Sequence, residues 1–380
     1  MIENYIFNYE LPFGLAMNFL VDGNERVIPM VTEEPSVIAA ASNAGKLTQS
    51  LGGFTTDFKN RLVIGQIVLK EVKEPEKARK ILKENESELI HLANQAYPSI
   101  LDYGAGAQKI KIRRIQEDDS PEFFVLHLMV DTGEAMGANI VNTMTEAIAS
   151  HVVNLVGGGN LMNILSNYAT ESIVKASCII HPENLENENM SGEEVRDRII
   201  EASQFAYLDP YRAVTHNKGI MNGIDALLVA SGNDWRAVEA GVHAYAAKSG
   251  QYRALSQWTK TKEGYLKGEI ELPISIGTVG GTLSVHPAAQ LAHRIMNHPS
   301  AKEFSRLLAA VGLAQNLAAL KALVTDGIQK GHMALQARTL AISVGAKGAV
   351  IDQVVKQLKK SKTMNSKIAK EILVSILEEN

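Results

Sequence analysis

Lys218 and Asp234 stand on either side of an apolar run, residues 226–230 (Ala-Leu-Leu-Val-Ala), among Asn217, Asn222, Asn233 and the glycines Gly219, Gly223 and Gly232. Five apolar residues flanked by amides and carboxylates read as a buried strand whose end loops carry polar chemistry. A lysine there, with a carboxylate in reach, can stay charged and stabilise a developing oxyanion; a structural ion pair accounts equally well for the spacing. Glu34 precedes Pro35, a favoured first helical residue, and the predicted helix continues through Ser36-Val-Ile-Ala-Ala-Ala. Pro35 pushes Glu34 out of the α region, so its carboxylate lies at the helix N-terminus, either facing a cleft or serving as an ordinary acidic cap. His332 follows Gly331 in a glycine-hinged C-terminal stretch, and imidazole titrates near neutral pH. With ten histidines in the chain, one His is weak evidence alone, and His216 competes by its proximity to Lys218.

The elements that must hold these residues are visible as periodicity. Residues 62–72 are β-branched and apolar, 74–97 read as one long charged helix with Leu82, Leu89 and Leu92 along a side, and 108–115 and 123–130 alternate like paired antiparallel strands. Residues 136–156 predict a helix ended by Gly157-Gly-Gly, and 161–165 a last short strand. The order βαββαβ is that of a ferredoxin-like unit. No G-x-G-x-x-G joins a strand to a helix, so these patterns alone announce no dinucleotide site. The remainder predicts a discontinuous larger domain. Ser191-Gly-Glu-Glu opens a helix that Asp209-Pro210 ends, 233–249 is helical, 272–279 is strand-like, and 301–324 is an Ala- and Leu-rich helix. Beyond Gly327 come short helices with hinges at Gly331, Gly345 and Gly348, the pattern of a mobile lid. The expected fold class is therefore α+β: a large domain of residues 1–61 and 167–327, an inserted small domain of 62–166, and a helical flap of 328–380.

The chain has 380 residues and a formal net charge of −4. That length admits two domains and a large core, and that charge gives no electrostatic case for a nucleic-acid or anionic-membrane partner. The single cysteine, Cys178, excludes an intramolecular disulfide and sits in a strand-like run as core packing. No leader pattern opens the chain, and the longest apolar stretch, 307–324, is broken by Gly312, Gln315, Asn316 and Lys321 before it reaches about 20 apolar residues. The expectation is a cytoplasmic protein. No His-Glu-x-x-His or comparable spacing exists, and His293 and His298 lack a nearby acid cluster, so no metal is expected.

The stretch 209–241 resembles the substrate-site signature of 3-hydroxy-3-methylglutaryl-CoA reductases, in their class II (soluble bacterial and archaeal) branch. Further matching blocks are Glu10-Leu-Pro-Phe-Gly, Thr32-Glu-Glu-Pro-Ser-Val, Glu134-Ala-Met-Gly-Ala-Asn, Gly312-Leu-Ala-Gln-Asn and Gly331-His-Met-Ala-Leu, in family order over nearly the whole chain. The resemblance implies reduction of the thioester to mevalonate and CoA by two hydrides, through a hemithioacetal and mevaldehyde. It gives Glu34, Lys218, Asp234 and His332 as catalytic. Lys218 would face the oxyanion, His332 would protonate the leaving thiolate, Glu34 or Lys218 would supply the last proton, and Asp234 would hold Lys218 and Glu34 together. It implies substrate recognition by Ser36 and Arg212, with Asn222 as a further partner; arginine can grip a carboxylate with two parallel bonds.

The same resemblance assigns the cofactor to the small domain without a Rossmann fold, around Glu134, Met136, Gly137 and Asn139, where a loop enters a helix N-terminus. Glu134 replaces the family's usual aspartate. Tyr97 stands where NADH-using relatives have an aspartate that would repel a 2′-phosphate, which favours NADPH, with NADH the alternative. A homodimer with the active site at the subunit interface is implied. The chain opens within the family's Glu-Asn-Val-Ile-Gly motif, and Gly277-Thr-Val-Gly-Gly-Thr has one glycine fewer than the common form. Two other readings stay open: a catabolic enzyme running from mevalonate to the thioester with NADH, and a CoA-thioester binding protein without catalysis.

Overall fold

The computed structural model describes residues 2–118, 120–325, 327, 337–361 and 363–378. Among the described residues ten strands form two sheets. The larger is built from β1 (Phe13–Val21), β2 (Asn24–Val31), β3 (Phe54–Phe58), β8 (Ile173–Ile180), β9 (Ser256–Lys260) and β10 (Leu266–Pro273), in the order β2-β1-β3-β8-β10-β9. The smaller contains β4 (Val63–Lys70), β5 (Gly106–Ile115), β6 (Phe123–Asp131) and β7 (Gly159–Ser166), all antiparallel, in the order β5-β6-β4-β7. Numbered within that unit, the order is 2-3-1-4. This is the split-βαβ arrangement the element order predicts.

The small sheet carries α2 (Pro75–Glu84), α3 (Glu86–Ala96) and α4 (Ala138–Val156) on one face, with Ile67, Leu69, Leu82, Leu89, Leu126, Leu128, Val141 and Met144 in its core. The single long helix expected over 74–97 is two helices. They meet at Asn85, whose side-chain amide donates to the Ile81 carbonyl at 2.8 Å and so turns back on its own helix end. Leu82 and Leu89 are both fully buried across that break, so the apolar stripe survives the change of direction.

In the large domain α1 (Val37–Thr48), α5 (Gly192–Leu208) and α6 (Pro210–Ser231) pack on α9 (Ala301–Val324), while α7 (Trp235–Ala246) packs on α6 and β10 and α8 (Pro287–Ile295) on α6 and β2. α9 is apolar on all sides because it is enclosed on all sides, with Phe304, Leu308, Val311, Leu313, Leu317 and Leu320 at zero exposure. By length and composition it could cross a membrane; here it packs against α1, α5, α6 and strands β3, β8 and β10 as the central helix of the core.

The run 226–230 is not a strand. It is the last part of α6, whose Asp209 carboxylate accepts the Arg212 N–H at 2.8 Å, whose first residue is Pro210, and whose C-cap is the left-handed Gly232. Five apolar residues cannot by themselves distinguish a buried strand from the buried end of a helix, and the caps lie too far away to enter a short window. Gly223 has a packing reason: a Cβ there would lie 3.1 Å from Gln315 and Val311 on α9, so the two helices meet at this point. The expected strand at 272–279 also shifts: β10 ends at Pro273, and only Val279 makes a β-bridge, to Ala135 of the small domain.

Residues 337–361 and 363–378 carry a third apolar cluster of their own, around Ala341, Val354, Leu358, Ala369 and Leu373, with helices α10 (Ala349–Leu358) and α11 (Ser366–Glu378).

Candidate active site

Three of the expected residues meet in one contact. The Lys218 ammonium donates to Glu34 Oε2 at 2.9 Å, and the Asn222 amide donates to the same oxygen at 3.3 Å. Lys218 and Asn222 are four apart on α6 and so share a face. Glu34 comes from the loop between β2 and α1, where its N–H is held by Thr32 Oγ1 at 3.2 Å. The pair is open to solvent, Lys218 at 61% side-chain exposure and Glu34 at 35%. An exposed ion pair adds at most about 1 kcal/mol to stability, so this one does little to hold the fold.

Helix α1 begins at Val37 and not at Pro35, so Glu34 lies outside the helix rather than against its first turn. The residue between, Ser36, takes a left-handed backbone with φ of 81°, and its side chain makes no capping bond. A non-glycine residue held there stores on the order of 1–3 kcal/mol, and such strain clusters at functional sites. Ser36 therefore presents a hydroxyl that makes no capping bond, two residues from Glu34.

Arg212 lies in the first turn of α6, and among the described residues no carboxylate pairs with its guanidinium. Burial lowers its pKa, because a half-buried cation lacks both water and a counter-ion. That is the state of a cation awaiting an anion. His216, by contrast, is 2% exposed; its Nε2 lies 2.7 Å from Ser256 Oγ and 3.0 Å from Asn316 Nδ2. Burial, with Arg212 adding to it, pushes its pKa down to about 3. It is a neutral ring in the core, out of reach of the cleft. His332 lies outside the described residues.

Asp234 is the N-cap of α7. Its carboxylate accepts the Ala237 N–H at 3.1 Å and lies 3.8 Å from the Arg236 guanidinium. Among the described residues no hydrogen bond or ion pair joins it to Lys218 or Glu34. Next to it, Asn233 Oδ1 accepts the Gly277 N–H at 2.9 Å.

On the small domain, Glu134, Met136, Gly137 and Asn139 form the loop and first turn of α4, where Gly137 is a left-handed N-cap and no acidic side chain neutralises the free N–H groups. The Glu134 carboxylate is already engaged: one oxygen accepts from Thr278 Oγ1 and from the Ala301 N–H, both at 2.6 Å, which ties the small domain to the N-terminus of α9. The longer arm of glutamate reaches that helix end. Tyr97 closes α3 and packs against the small-domain core. Asn94, one turn earlier, holds α3 to β5 by a pair of bonds to the Ala107 backbone, 2.8 and 3.3 Å.

Among the described residues no group of three or more His, Cys, Asp or Glu could hold a metal ion. A groove of about 530 Å³ lies over the large sheet, lined by Lys175, Tyr245, Lys248, Arg253 and Glu271 and by none of the expected site residues. Its lysines are spent on Glu271, at 2.6 and 3.0 Å.

Sequence reasoning gave no role to Arg61, Asp225 or Asn316. Signals existed for the last two: one acid inside the apolar run after Ile224, and an amide pair, Gln315-Asn316, inside the most apolar helix. Asp225 is half-buried beside Glu239 of α7, and burial together with that second carboxylate raises its pKa to about 8.

Residues 1–337 match the family model described as hydroxymethylglutaryl-coenzyme A reductase. The chain is 44% identical over 373 residues to the 3-hydroxy-3-methylglutaryl-coenzyme A reductase of Archaeoglobus fulgidus, covering 98% of this chain and 84% of that protein. It is 36% identical over 335 residues to the probable reductase of Borreliella burgdorferi, covering 88% and 76%. Among solved structures, the Streptococcus pneumoniae 3-hydroxy-3-methylglutaryl-coenzyme A reductase superposes with a TM-score of 0.84 at 47% identity, over 99% of this chain and 89% of that one. The class II enzyme from the same organism, bound to NADPH in open conformations, gives 0.83 at 47% identity over 99% and 91%. With the βαββαβ insertion in place and the substrate-site signature gathered on α6, the chain belongs to the class II hydroxymethylglutaryl-coenzyme A reductase family.

Proposed function

We propose that this protein reduces 3-hydroxy-3-methylglutaryl-CoA to mevalonate and CoA, with two hydrides from NADPH. The observation that carries the reading is the solvent-open contact of Lys218 and Asn222 with Glu34. When bound, one NADPH would supply hydride to the thioester carbon, and a second, after CoA has left, would supply it to the aldehyde carbon. Lys218 stands by the oxygen of that carbon, where its charge stabilises the anion formed at each addition. The proton for the product oxygen comes from the Lys218 ammonium, or from Glu34 once solvent has protonated it, and Asn222 keeps the Glu34 carboxylate in place. The unpaired guanidinium of Arg212 and the hydroxyl of Ser36 receive the substrate's terminal carboxylate. His332 protonates the departing CoA thiolate from the flap, and Asp234 joins Lys218 when substrate closes the cleft.

Met136, Gly137 and Asn139, in the loop and first turn of α4, would hold the dinucleotide phosphates. NADPH is preferred because Tyr97 puts no carboxylate near a 2′-phosphate, and the NADPH-bound class II relative supports the same choice. The division assigned to these roles is a substrate domain of 1–61 and 167–327, a cofactor domain of 62–166, and a flap of 328–380. The working form is a homodimer with the site at the subunit interface, in the cytoplasm and without a metal.

The test follows nicotinamide absorbance with 3-hydroxy-3-methylglutaryl-CoA, in parallel with NADPH and with NADH. Oxidation of two NADPH per thioester, faster than with NADH, is the expected result. Preference for NADH would overturn the cofactor choice alone. No oxidation by a folded dimer with either cofactor would sink the catalytic reading and leave a thioester-binding protein.

A further inference from the structure

Arg61 sits where the chain leaves the large sheet after β3 and enters the small one at β4. Its guanidinium is largely buried, yet among the described residues no carboxylate forms an ion pair with it; burial lowers its pKa, with Asp131 and Glu134 opposing from a distance. All its bonds go to neutral oxygens. One terminal nitrogen donates to Thr132 Oγ1 at 3.2 Å and to the Gly133 carbonyl; the other donates to the Ala135 carbonyl at 2.7 Å and to the Ile276 carbonyl. Three of these four acceptors belong to the loop that ends in the first turn of α4. The fourth belongs to the large-domain segment after β10.

That segment is fitted closely to the loop. Thr278 N–H donates to the Glu134 carbonyl at 2.8 Å, Val279 bridges Ala135, and a Cβ on Gly277 would lie 2.4 Å from the Met136 nitrogen. Gly277 in turn donates to Asn233, the neighbour of Asp234 at the start of α7. A cation kept from water without a counter-ion is costly, and carbonyls lying in two directions suit a forked guanidinium rather than an ammonium.

We propose that Arg61 is a positioning residue for the cofactor, fixing the loop 132–135 against 276–279 and so setting where the first turn of α4 presents its N–H groups. This rests on the reading that Met136–Asn139 receives the dinucleotide. Arg61 touches no substrate. Its loss lets the loop drift, and a displacement of about an ångström there weakens dinucleotide binding by tenfold or more.

The test compares the parent with Arg61→Lys and Arg61→Met. NADPH binding is titrated by fluorescence, 3-hydroxy-3-methylglutaryl-CoA binding by calorimetry, and melting and steady-state kinetics are recorded on the same samples. The expected result is an NADPH Kd and KM raised about tenfold or more in both variants, with thioester affinity within about twofold of the parent. NADPH affinity unchanged in Arg61→Lys would overturn the proposal. So would a parallel fall in both affinities with the melting temperature, or loss of folding in both variants, since either makes Arg61 a general strut. A parent that binds neither NADPH nor NADH would overturn the underlying cofactor reading, and the positioning role with it.

Discussion

Replacing Asn316 by leucine tests whether the central helix is held by one buried polar hub. Asn316 is 1% exposed. Its Oδ1 accepts from Trp258 Nε1 at 2.7 Å and from Ser256 Oγ at 2.8 Å, and its Nδ2 lies 3.0 Å from His216 Nε2. Leucine keeps the volume and removes all three bonds. The Ser256 hydroxyl retains His216 at 2.7 Å, so the Trp258 indole N–H is the one donor left with nothing. Stranding a buried donor costs about 1–3 kcal/mol, and the other exchanged bonds about 1 kcal/mol more, giving about 2–4 kcal/mol for Asn316→Leu. Against a total of about 5–15 kcal/mol that is a large loss. Urea unfolding followed by tryptophan fluorescence reads it, with Trp258→Phe as the second arm, because phenylalanine removes the stranded donor. The double variant should be less destabilised than the sum of the singles by about 1–2 kcal/mol. Strict additivity, or an Asn316→Leu variant within about 0.5 kcal/mol of the parent, would refute the hub.

Asp225 has a folded-state pKa near 8, above its ordinary 3.8, so its contribution is complete at low pH and is lost as pH rises through about 8. Asp225→Asn should therefore flatten the decline in melting temperature between about pH 5 and about pH 8.5; an unchanged slope would contradict the shared burial with Glu239. His216 has the opposite sign. With a folded pKa near 3 against 6.5, it contributes stability above pH 6.5 that is lost as pH falls toward 3, and His216→Gln should lessen that acid dependence in a pH series of urea midpoints. Tyr97→Asp should lower kcat/KM for NADPH about tenfold or more and spare NADH, since a carboxylate repels the 2′-phosphate; equal losses with both would remove Tyr97 from the choice of cofactor.

The small domain was legible because its strands and helices keep their apolar patterning, although the stripe over 74–97 hid the break at Asn85. Alternation marks β5, β6 is a nearly continuous buried apolar run, the acidic turn separates the two, and Gly157 stops α4 where the pattern ends. The substrate helix was misread for a local reason. Residues 226–230 look alike in a buried strand and in the enclosed end of a 22-residue helix, and the caps at Asp209 and Gly232 settle the question only over the full length. Lys218 consequently sits in mid-helix and not in a loop, which is what places Asn222 beside it on Glu34. Arg61 could not be found from the sequence at all. Three of its four partners are backbone carbonyls some 70 and 215 positions away, and carbonyls leave no trace in residue type.

The central claim is that Lys218, held against Glu34, stabilises the anion formed by hydride addition. Single-turnover reduction of 3-hydroxy-3-methylglutaryl-CoA by NADPH, measured for the parent and for Lys218→Met with thioester binding determined separately, tests it most directly. The account predicts a rate at least about a hundredfold lower, with thioester affinity within about tenfold of the parent. A Lys218→Met protein that turns over within about threefold of the parent would contradict it.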